Sequence, residues 1–136
     1  MTKYNETELQ ELRDFFGGDK FAEMTGCFIK EAGDGYSICT MEVTDMHRNA
    51  FGGIMGGAMM TLADFSAAVV SNRPGKYTTA NSMNTTFVGN SKDGLMIAEA
   101  KLIRDGRSTN YIEVKITDST GKPLAFVTSL GFHLTK

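Results

Sequence analysis

The stretch from residue 49 to residue 70 joins a glycine-rich loop to an apolar segment that holds one carboxylate. The loop is Gly52–Gly57, and the apolar segment runs from Ala58 to Val70 with Asp64 near its middle. Ala, Met and Leu favour helix and no Pro interrupts them, so we predict a buried helix of about 15 residues. Glycines at its start would leave the first backbone amides open to a ligand oxygen, where the helix dipole favours negative charge.

Asp64 is the candidate acid–base group of this stretch. A carboxylate in an apolar helix is costly unless it is paired or used, although a merely solvated Asp and a simple glycine turn are the alternatives. Asp64 follows Gly56 by eight residues, about 12 Å along a helix. One substrate carbonyl therefore cannot lie within hydrogen-bond reach of both groups on the same helix. Either Asp64 is structural, or a second copy of the chain completes the site in a symmetric dimer.

Composition narrows the class of protein. With 136 residues and a net charge of −2, we expect one globular domain over residues 1–136 and no binding to nucleic acid. Cys27 and Cys39 lie in apolar runs, typical of small buried side chains in a reducing compartment, and the polar start shows no signal peptide. We therefore predict a cytoplasmic protein. The Asp64 carboxylate and the clustered glycines argue against insertion of the central segment into a membrane.

Helix and strand patterns surround the central segment. Asn5, with Glu8 three residues later, predicts a capped start for a short amphipathic helix that Gly17-Gly18 ends. Six strand-like runs follow the rules for strands bounded by turn residues: Cys27–Ala32, Tyr36–Val43, Tyr77–Val88, Leu95–Ile103, Ser108–Thr117 and Leu124–Leu134.

The strand-like runs alternate in a way that predicts an antiparallel sheet with one buried face. Alternation is clear at Ile112, Val114 and Ile116, and again at Leu124, Phe126, Thr128, Leu130, Phe132 and Leu134. One long apolar helix among about six such strands predicts an α+β fold in which a curved antiparallel sheet wraps around the central helix, with a short N-terminal helix.

Several motifs together resemble the hotdog-fold acyl-CoA thioesterases of the PaaI-like group. Asn49-x-x-Gly52-x-Ile54-Met55-Gly56-Gly57 is similar to the family pattern N-x-x-G-x-(V/I/L)-H-G-G, and Leu62-Ala63-Asp64 supplies the acidic residue of the following helix. The segments 82–87, 104–107 and 121–125 resemble the strand after the helix, a basic turn and the last hairpin. The resemblance covers roughly residues 26–134.

The resemblance implies a homodimer or homotetramer with active sites at the dimer interface. It assigns the backbone N–H of Gly56 to polarise the thioester carbonyl, with the side-chain amide of Asn49 assisting. Asp64 from the partner subunit would activate water as a general base or attack as a nucleophile. Gly57 and Met55 would line the substrate site, and no metal or other cofactor is required. Preorganised N–H donors and a positioned carboxylate are what thioester hydrolysis needs.

Two positions depart from the family pattern. Met55 stands where relatives have a His that helps to hold the loop, and Ala80 stands where some relatives have a Ser or Thr that holds the attacking water. We consider Ser82, expected on the same strand face as Ala80, and Thr79 as substitutes. Arg107, like the other basic residues in turns, could meet coenzyme A phosphates or simply be solvated.

Other chemistries find little support in the sequence. The sequence has only two His residues, which argues against a His-rich metal site, and His47 is expected to be a loop residue. Neither a G-x-S-x-G nucleophile elbow nor the lysine of a P-loop is present. We predict an acyl-CoA thioesterase, with an acyl carrier protein thioester as a second substrate class. A non-catalytic acyl-CoA-binding or regulatory domain and a structural oligomerisation module remain the alternatives.

Overall fold

Ten segments of regular structure follow one another along residues 2–135, the part of the chain that the computed structural model describes. In chain order they are α1 (Glu6–Phe16), α2 (Lys20–Thr25), β1 (Cys27–Gly33), β2 (Tyr36–Glu42), a 3-10 turn (Asp45–His47), α3 (Gly56–Ser71), β3 (Thr78–Phe87), β4 (Leu95–Asp105), β5 (Thr109–Asp118) and β6 (Pro123–His133). No helix in this part of the chain is both long and apolar enough to span a membrane.

The six strands form one antiparallel sheet in the order β1-β2-β4-β5-β6-β3. The helix α3 contacts all six strands, so the sheet curves around it and the two bury each other. This is the α+β hotdog arrangement that the sequence predicted, and the prediction is confirmed. The strands β1 and β3 are the two edges of the sheet. The residues before α1 partly cover β1, where the Tyr4 amide donates to the Ala32 carbonyl (2.9 Å), whereas β3 leaves one row of backbone hydrogen-bonding groups without a strand partner in the described chain.

The central helix is not buried on every side, so that part of the prediction is wrong. Most of its apolar residues are buried, among them Met59, Leu62 and Ala63 at 1%, 0% and 0% exposure. The face that carries Gly57, Met60 and Asp64 is exposed. A single curved sheet covers only part of a helix's circumference, and residues three or four apart share the remaining face. Asp64 thus lies on an open surface of the single chain.

The N-terminal helix has the cap that the sequence predicted. The Glu8 amide donates to Asn5 Oδ1 (2.8 Å) and the Asn5 amide donates to Glu8 Oε1 (3.0 Å), a complete capping box. The helix α2 was missed, since its six residues are too few to show a helical period. Asp19 at its start and Gly26 (φ +94°) at its end were the available signals.

The last strand is oriented opposite to the prediction. The apolar set Phe126, Leu130 and Phe132 points away from α3, whereas Val127 and Ser129 are buried under it. The pairing with β5 moves from Ile116 opposite Ala125 to Thr117 opposite Pro123, which leaves Leu124 as an extra residue. Such a bulge shifts every later side chain to the other face, and β6 carries apolar residues on both faces, so alternation alone misassigned it.

Candidate active site

The glycine loop is closed on itself by Asn49. The Asn49 amide donates to the Gly53 carbonyl (2.8 Å), and Asn49 Oδ1 accepts from the amides of Phe51 (2.9 Å) and Gly53 (3.1 Å). Gly52 has φ +84°, a conformation that glycine adopts without strain. The side-chain nitrogen of Asn49 has no hydrogen-bond partner within residues 2–135, so it is available as a donor beside the loop.

The loop delivers two unpaired amides at the start of α3. The Met55 amide donates to the His47 carbonyl (2.8 Å), and the Met55 carbonyl accepts from Ala58 (2.9 Å). The amides of Gly56 and Gly57 have no acceptor in the described chain, and no side chain caps this helix end. Adjacent open N–H groups at a helix N-terminus stabilise developing negative charge, as an oxyanion hole does.

Apolar side chains flank these two amides. An ideal Cβ on Gly56 would lie 2.9 Å from the ring of Phe87, and one on Gly57 would lie 3.8 Å from the methyl carbon of Met55. Phe87 and Met55 are nonetheless half exposed, at 51% and 56%. The glycine at position 56 therefore makes room for an aromatic ring, and a substrate at the amides would be surrounded by apolar surface that strengthens their electrostatic effect.

Asp64 has an environment that favours its protonated form. Desolvation raises the pKa of Asp64 above its usual value, and the negative charge of Asp19 raises this pKa further. Asp64 makes no hydrogen bond or salt bridge within residues 2–135. It is also eight residues beyond Gly56 on the same helix, about 12 Å along the axis, so the two groups do not meet in one chain.

The thiol of Cys27, whose pKa is affected by the charge of Asp64, is not a competing nucleophile. Burial raises the pKa of Cys27 to about 11, against a smaller lowering by the hydroxyl of Thr25, with the charges of Asp19 and Asp64 adding to the rise. A thiol with such a pKa is protonated at neutral pH and reacts poorly. No group of three or more His, Cys, Asp or Glu side chains in the described residues is placed to hold a metal ion.

The two proposed water-holding side chains lie on the wrong face of β3. Thr79 pairs with Phe132 and Ser82 pairs with Leu130, and both of these partners point away from α3. Ala80 instead pairs with Gly131, which is buried on the α3 side. The expectation that Ser82 and Ala80 share a face is wrong, because the register shifts between them and a bulge interrupts the alternation.

The basic turn is at the far end of α3 from the open amides. Arg107 is exposed in the turn between β4 and β5. The start of β5 is fixed to the last residue of α3, where Asn110 Nδ2 donates to Ser71 Oγ (2.9 Å). Within one chain Arg107 and Gly56 are therefore separated by about the length of the helix.

Two residues outside the predicted site support the loop. His47 is buried; its Nδ1 accepts from the Thr44 amide (2.9 Å) and its Nε2 faces the Thr25 carbonyl at 2.6 Å, so it is a loop residue as expected. The side chain of Asn90, on the segment after β3, bonds to both backbone groups of Ile54. The contacts of His47 with Thr25 and of Asn90 with Ile54 have no local sequence signal, since each joins segments that are far apart in the chain.

Comparison with known proteins gives the class. The thioesterase superfamily matches residues 51–125. The 1,4-dihydroxy-2-naphthoyl-CoA hydrolase of Listeria monocytogenes is 31% identical over 105 residues, covering 75% of this chain and 85% of that protein. Acyl-coenzyme A thioesterase 13 of Homo sapiens is 31% identical over 101 residues, covering 71% and 72%.

The fold agrees with the sequence comparison. The structure of the PaaI protein of E. coli, from the phenylacetic acid degradation operon, matches with a TM-score of 0.86 at 23% identity, covering 92% of this chain and 91% of that one. The chain therefore belongs to the thioesterase superfamily, and its predicted resemblance to the hotdog-fold thioesterases is confirmed. It is an enzyme, a thioester hydrolase.

Proposed function

We propose that this protein hydrolyses acyl-CoA thioesters at composite sites formed by two copies of the chain. The observation that carries the proposal is the exposed face of α3, on which open amides at Gly56 and Gly57 and an unpaired Asp64 lie about 12 Å apart. The names of the Listeria and human relatives, both coenzyme A thioester hydrolases, support the substrate class.

A two-fold dimer would bring these groups together. In an antiparallel pair of α3 helices centred on Met60, Gly56 of one copy lies opposite Asp64 of the other, because each is four residues from the centre. The exposure of Met60 (45%) and of Asp64 leaves this face free for such a pairing. The edge strand β3 has exposed residues along most of its length, and its unpaired backbone row could extend the sheet into a second copy.

Each group then has one role. The amides of Gly56 and Gly57, assisted by the Asn49 amide nitrogen, would stabilise the oxyanion that forms from the thioester carbonyl. Asp64 of the partner subunit takes a proton from water as the water oxygen bonds to the carbonyl carbon. The carbon–sulfur bond then breaks and that proton passes to the departing thiolate. If Asp64 attacks directly, its oxygen bonds to the carbonyl carbon, the carbon–sulfur bond breaks and the thiolate leaves. Water then splits the mixed anhydride into the free acid and the Asp64 carboxyl, whose proton passes to the thiolate. Both routes need the ionised carboxylate.

The same pairing accounts for the basic turn and for Met55. Antiparallel helices place the C-terminal end of one α3 beside the N-terminal end of the other, so Arg107 of the partner subunit comes to the side of the composite site. Its guanidinium has no salt-bridge partner within residues 2–135 and suits the phosphates of coenzyme A. Met55 offers a flexible apolar surface to the acyl group.

The test is release of free thiol from short, medium, long and aromatic acyl-CoAs. We expect turnover by the wild type and a loss of ~10²-fold or more in Asp64→Asn, which keeps the volume of the side chain and removes the base. Asp14→Asn, an exposed helical carboxylate outside the site, is the matched control and should remain active. Binding of acyl-CoA without turnover by the wild type would contradict the proposal and support a binding domain instead.

A further inference from the structure

Asn90, on the segment between β3 and β4, binds the glycine loop at Ile54. The Ile54 amide donates to Asn90 Oδ1 (2.9 Å), and Asn90 Nδ2 donates to the Ile54 carbonyl (3.0 Å). One amide side chain thus satisfies both backbone groups of one residue, as a neighbouring strand would do. On its other side Ile54 forms an isolated bridge with Arg48.

The position of Ile54 determines where the open amides of Gly56 and Gly57 point. Its side chain is 1% exposed, so it is anchored in the core two residues before Gly56. The next residue, Met55, gives α3 no side-chain cap; its amide donates to the His47 carbonyl, and its carbonyl accepts from the Ala58 amide of the first turn. With no cap to orient the first turn of α3, the path of the chain through Ile54 and Met55 sets where the Gly56 amide points.

The segment that carries Asn90 is held by hydrogen bonds to the turn between β5 and β6. Lys122 Nζ donates to the Asn90 carbonyl (2.6 Å), and the Ser91 hydroxyl donates to Asp118 Oδ2 (2.6 Å). The hydrogen bonds from Ser91 and Thr120 hold the pKa of the Asp118 carboxyl well below its usual range, so it stays ionised as an acceptor. The turn between β5 and β6 therefore fixes the segment that carries Asn90.

The loop leaves space for this side chain. An ideal Cβ on Gly53 would lie 3.1 Å from Asn90 Oδ1 and 3.2 Å from its Cγ, closer than ordinary contact. Gly53 does not have a positive φ, so its glycine is explained by the approach of Asn90 and not by backbone conformation. The residue type at position 53 thus depends on a side chain 37 positions later in the chain.

We propose that Asn90 is a positioning residue of the oxyanion hole: it acts through Ile54 to aim the Gly56 amide at the thioester oxygen. The inference rests on the proposed function for the role of that amide. Asn90 touches no reacting atom, and its effect is on the geometry of a donor that must lie near 3 Å from the oxyanion. Loss of Asn90 should therefore lower kcat more than it raises KM.

The chain offers a control asparagine whose side chain bonds only within α1. Asn5 Oδ1 accepts from the Glu8 amide (2.8 Å) as the cap of that helix. Asn90 Oδ1 also accepts from the Ser91 amide (2.8 Å), so Asn90→Ala removes three side-chain bonds to backbone and Asn5→Ala removes one together with the cap; both should lower Tm. Only Asn90→Ala should lower kcat, by about tenfold or more, with KM within about twofold of wild type.

The steady-state kinetics of wild type, Asn90→Ala and Asn5→Ala, together with amide hydrogen exchange, decide between these outcomes. Faster exchange confined to residues 49–57 in Asn90→Ala, with the kcat loss, supports the proposal. A kcat equal to that of Asn5→Ala, or unchanged exchange in this loop, overturns the proposal. If the wild type hydrolyses no acyl-CoA, the proposed function fails, while the exchange experiment still tests whether Asn90 fixes the loop.

A second variant guards against a failure of Asn90→Ala to fold. Gly53→Ala keeps Asn90 in the chain and adds a Cβ within 3.1 Å of its Oδ1, so the Asn90 side chain must shift by a few tenths of an ångström and its bonds to Ile54 are strained. We expect a smaller loss of kcat in the same direction, about threefold or more, with KM little changed. Wild-type kcat in Gly53→Ala, with the loop amides exchanging at the wild-type rate, would also overturn the proposal.

Discussion

The composite site predicts that two inactive variants restore each other. Gly56→Pro removes the amide donor at the first position of α3, where proline is well tolerated, and Met55 already has the extended backbone (φ −65°, ψ 135°) that precedes proline. Asp64→Asn removes the carboxylate. Each variant alone damages both sites of a symmetric dimer, because every site takes one group from each subunit.

The helix geometry sets the size of the restoration. Gly56 and Asp64 are ~12 Å apart along one helix, against the ~3 Å reach of a hydrogen bond, so a working site needs both subunits. Random pairing of equal amounts of the two variants makes half of the dimers mixed. Each mixed dimer has one site with both defects and one intact site, so about a quarter of all sites, and of wild-type activity, should return.

The assay is thiol release by the two proteins co-expressed with different tags, compared with each alone and with a simple mixture of separately purified proteins. Co-expressed Gly56→Ala and Asp64→Asn provide a control for the added Cβ, because Ala keeps the N–H and displaces Phe87 in the same way. Activity of the co-expressed pair no higher than the mean of the two homodimers would refute the shared site.

Three further predictions follow from the geometry. Gly56→Pro should lose ~10²–10³-fold in kcat relative to Gly56→Ala, measured by the same thiol assay, since only Pro lacks the donor. Desolvation and then the charge of Asp19 raise the pKa of Asp64, so activity should fall on acidification at a pH above the ~3.9 of an ordinary Asp. Asp19→Asn, which keeps the α2 cap, should shift this acidic fall in the pH–rate profile to lower pH. Leu62→Ala empties a fully buried position and should lower the free energy of unfolding in urea by about 2–5 kcal/mol.

Local sequence signals were sufficient for most of the fold. The observed bounds of β1 to β6 differ from the predicted ones by at most two residues, because polar turns interrupt alternating runs sharply. The capped start of α1 and the helical central segment were predicted for the same reason: capping and propensity act over a few neighbouring residues.

The errors came from bulges and from an open helix face. A bulge adds one residue without a strong composition signal, and in β3 and β6 it reversed which side chains face α3. Ser82 was assigned to the site by counting along an uninterrupted strand, and Thr79 because it is adjacent to Ala80. The exposed stripe on α3 was missed because the segment is apolar in composition, and composition does not tell how much of a helix the sheet covers.

The loss of the family's histidine at position 55 is understood only in three dimensions. The resemblance gives that imidazole the task of holding the glycine loop, and Met55 has no hydrogen-bonding group to do so. Here the loop is held by other residues. The Met55 amide donates to the backbone carbonyl of the buried His47, and the Asn90 side chain bonds to both backbone groups of Ile54. The open amides of Gly56 and Gly57 therefore keep a defined direction without the imidazole. The direction of these amides therefore depends on the segments that pack behind the loop, which the motif does not include.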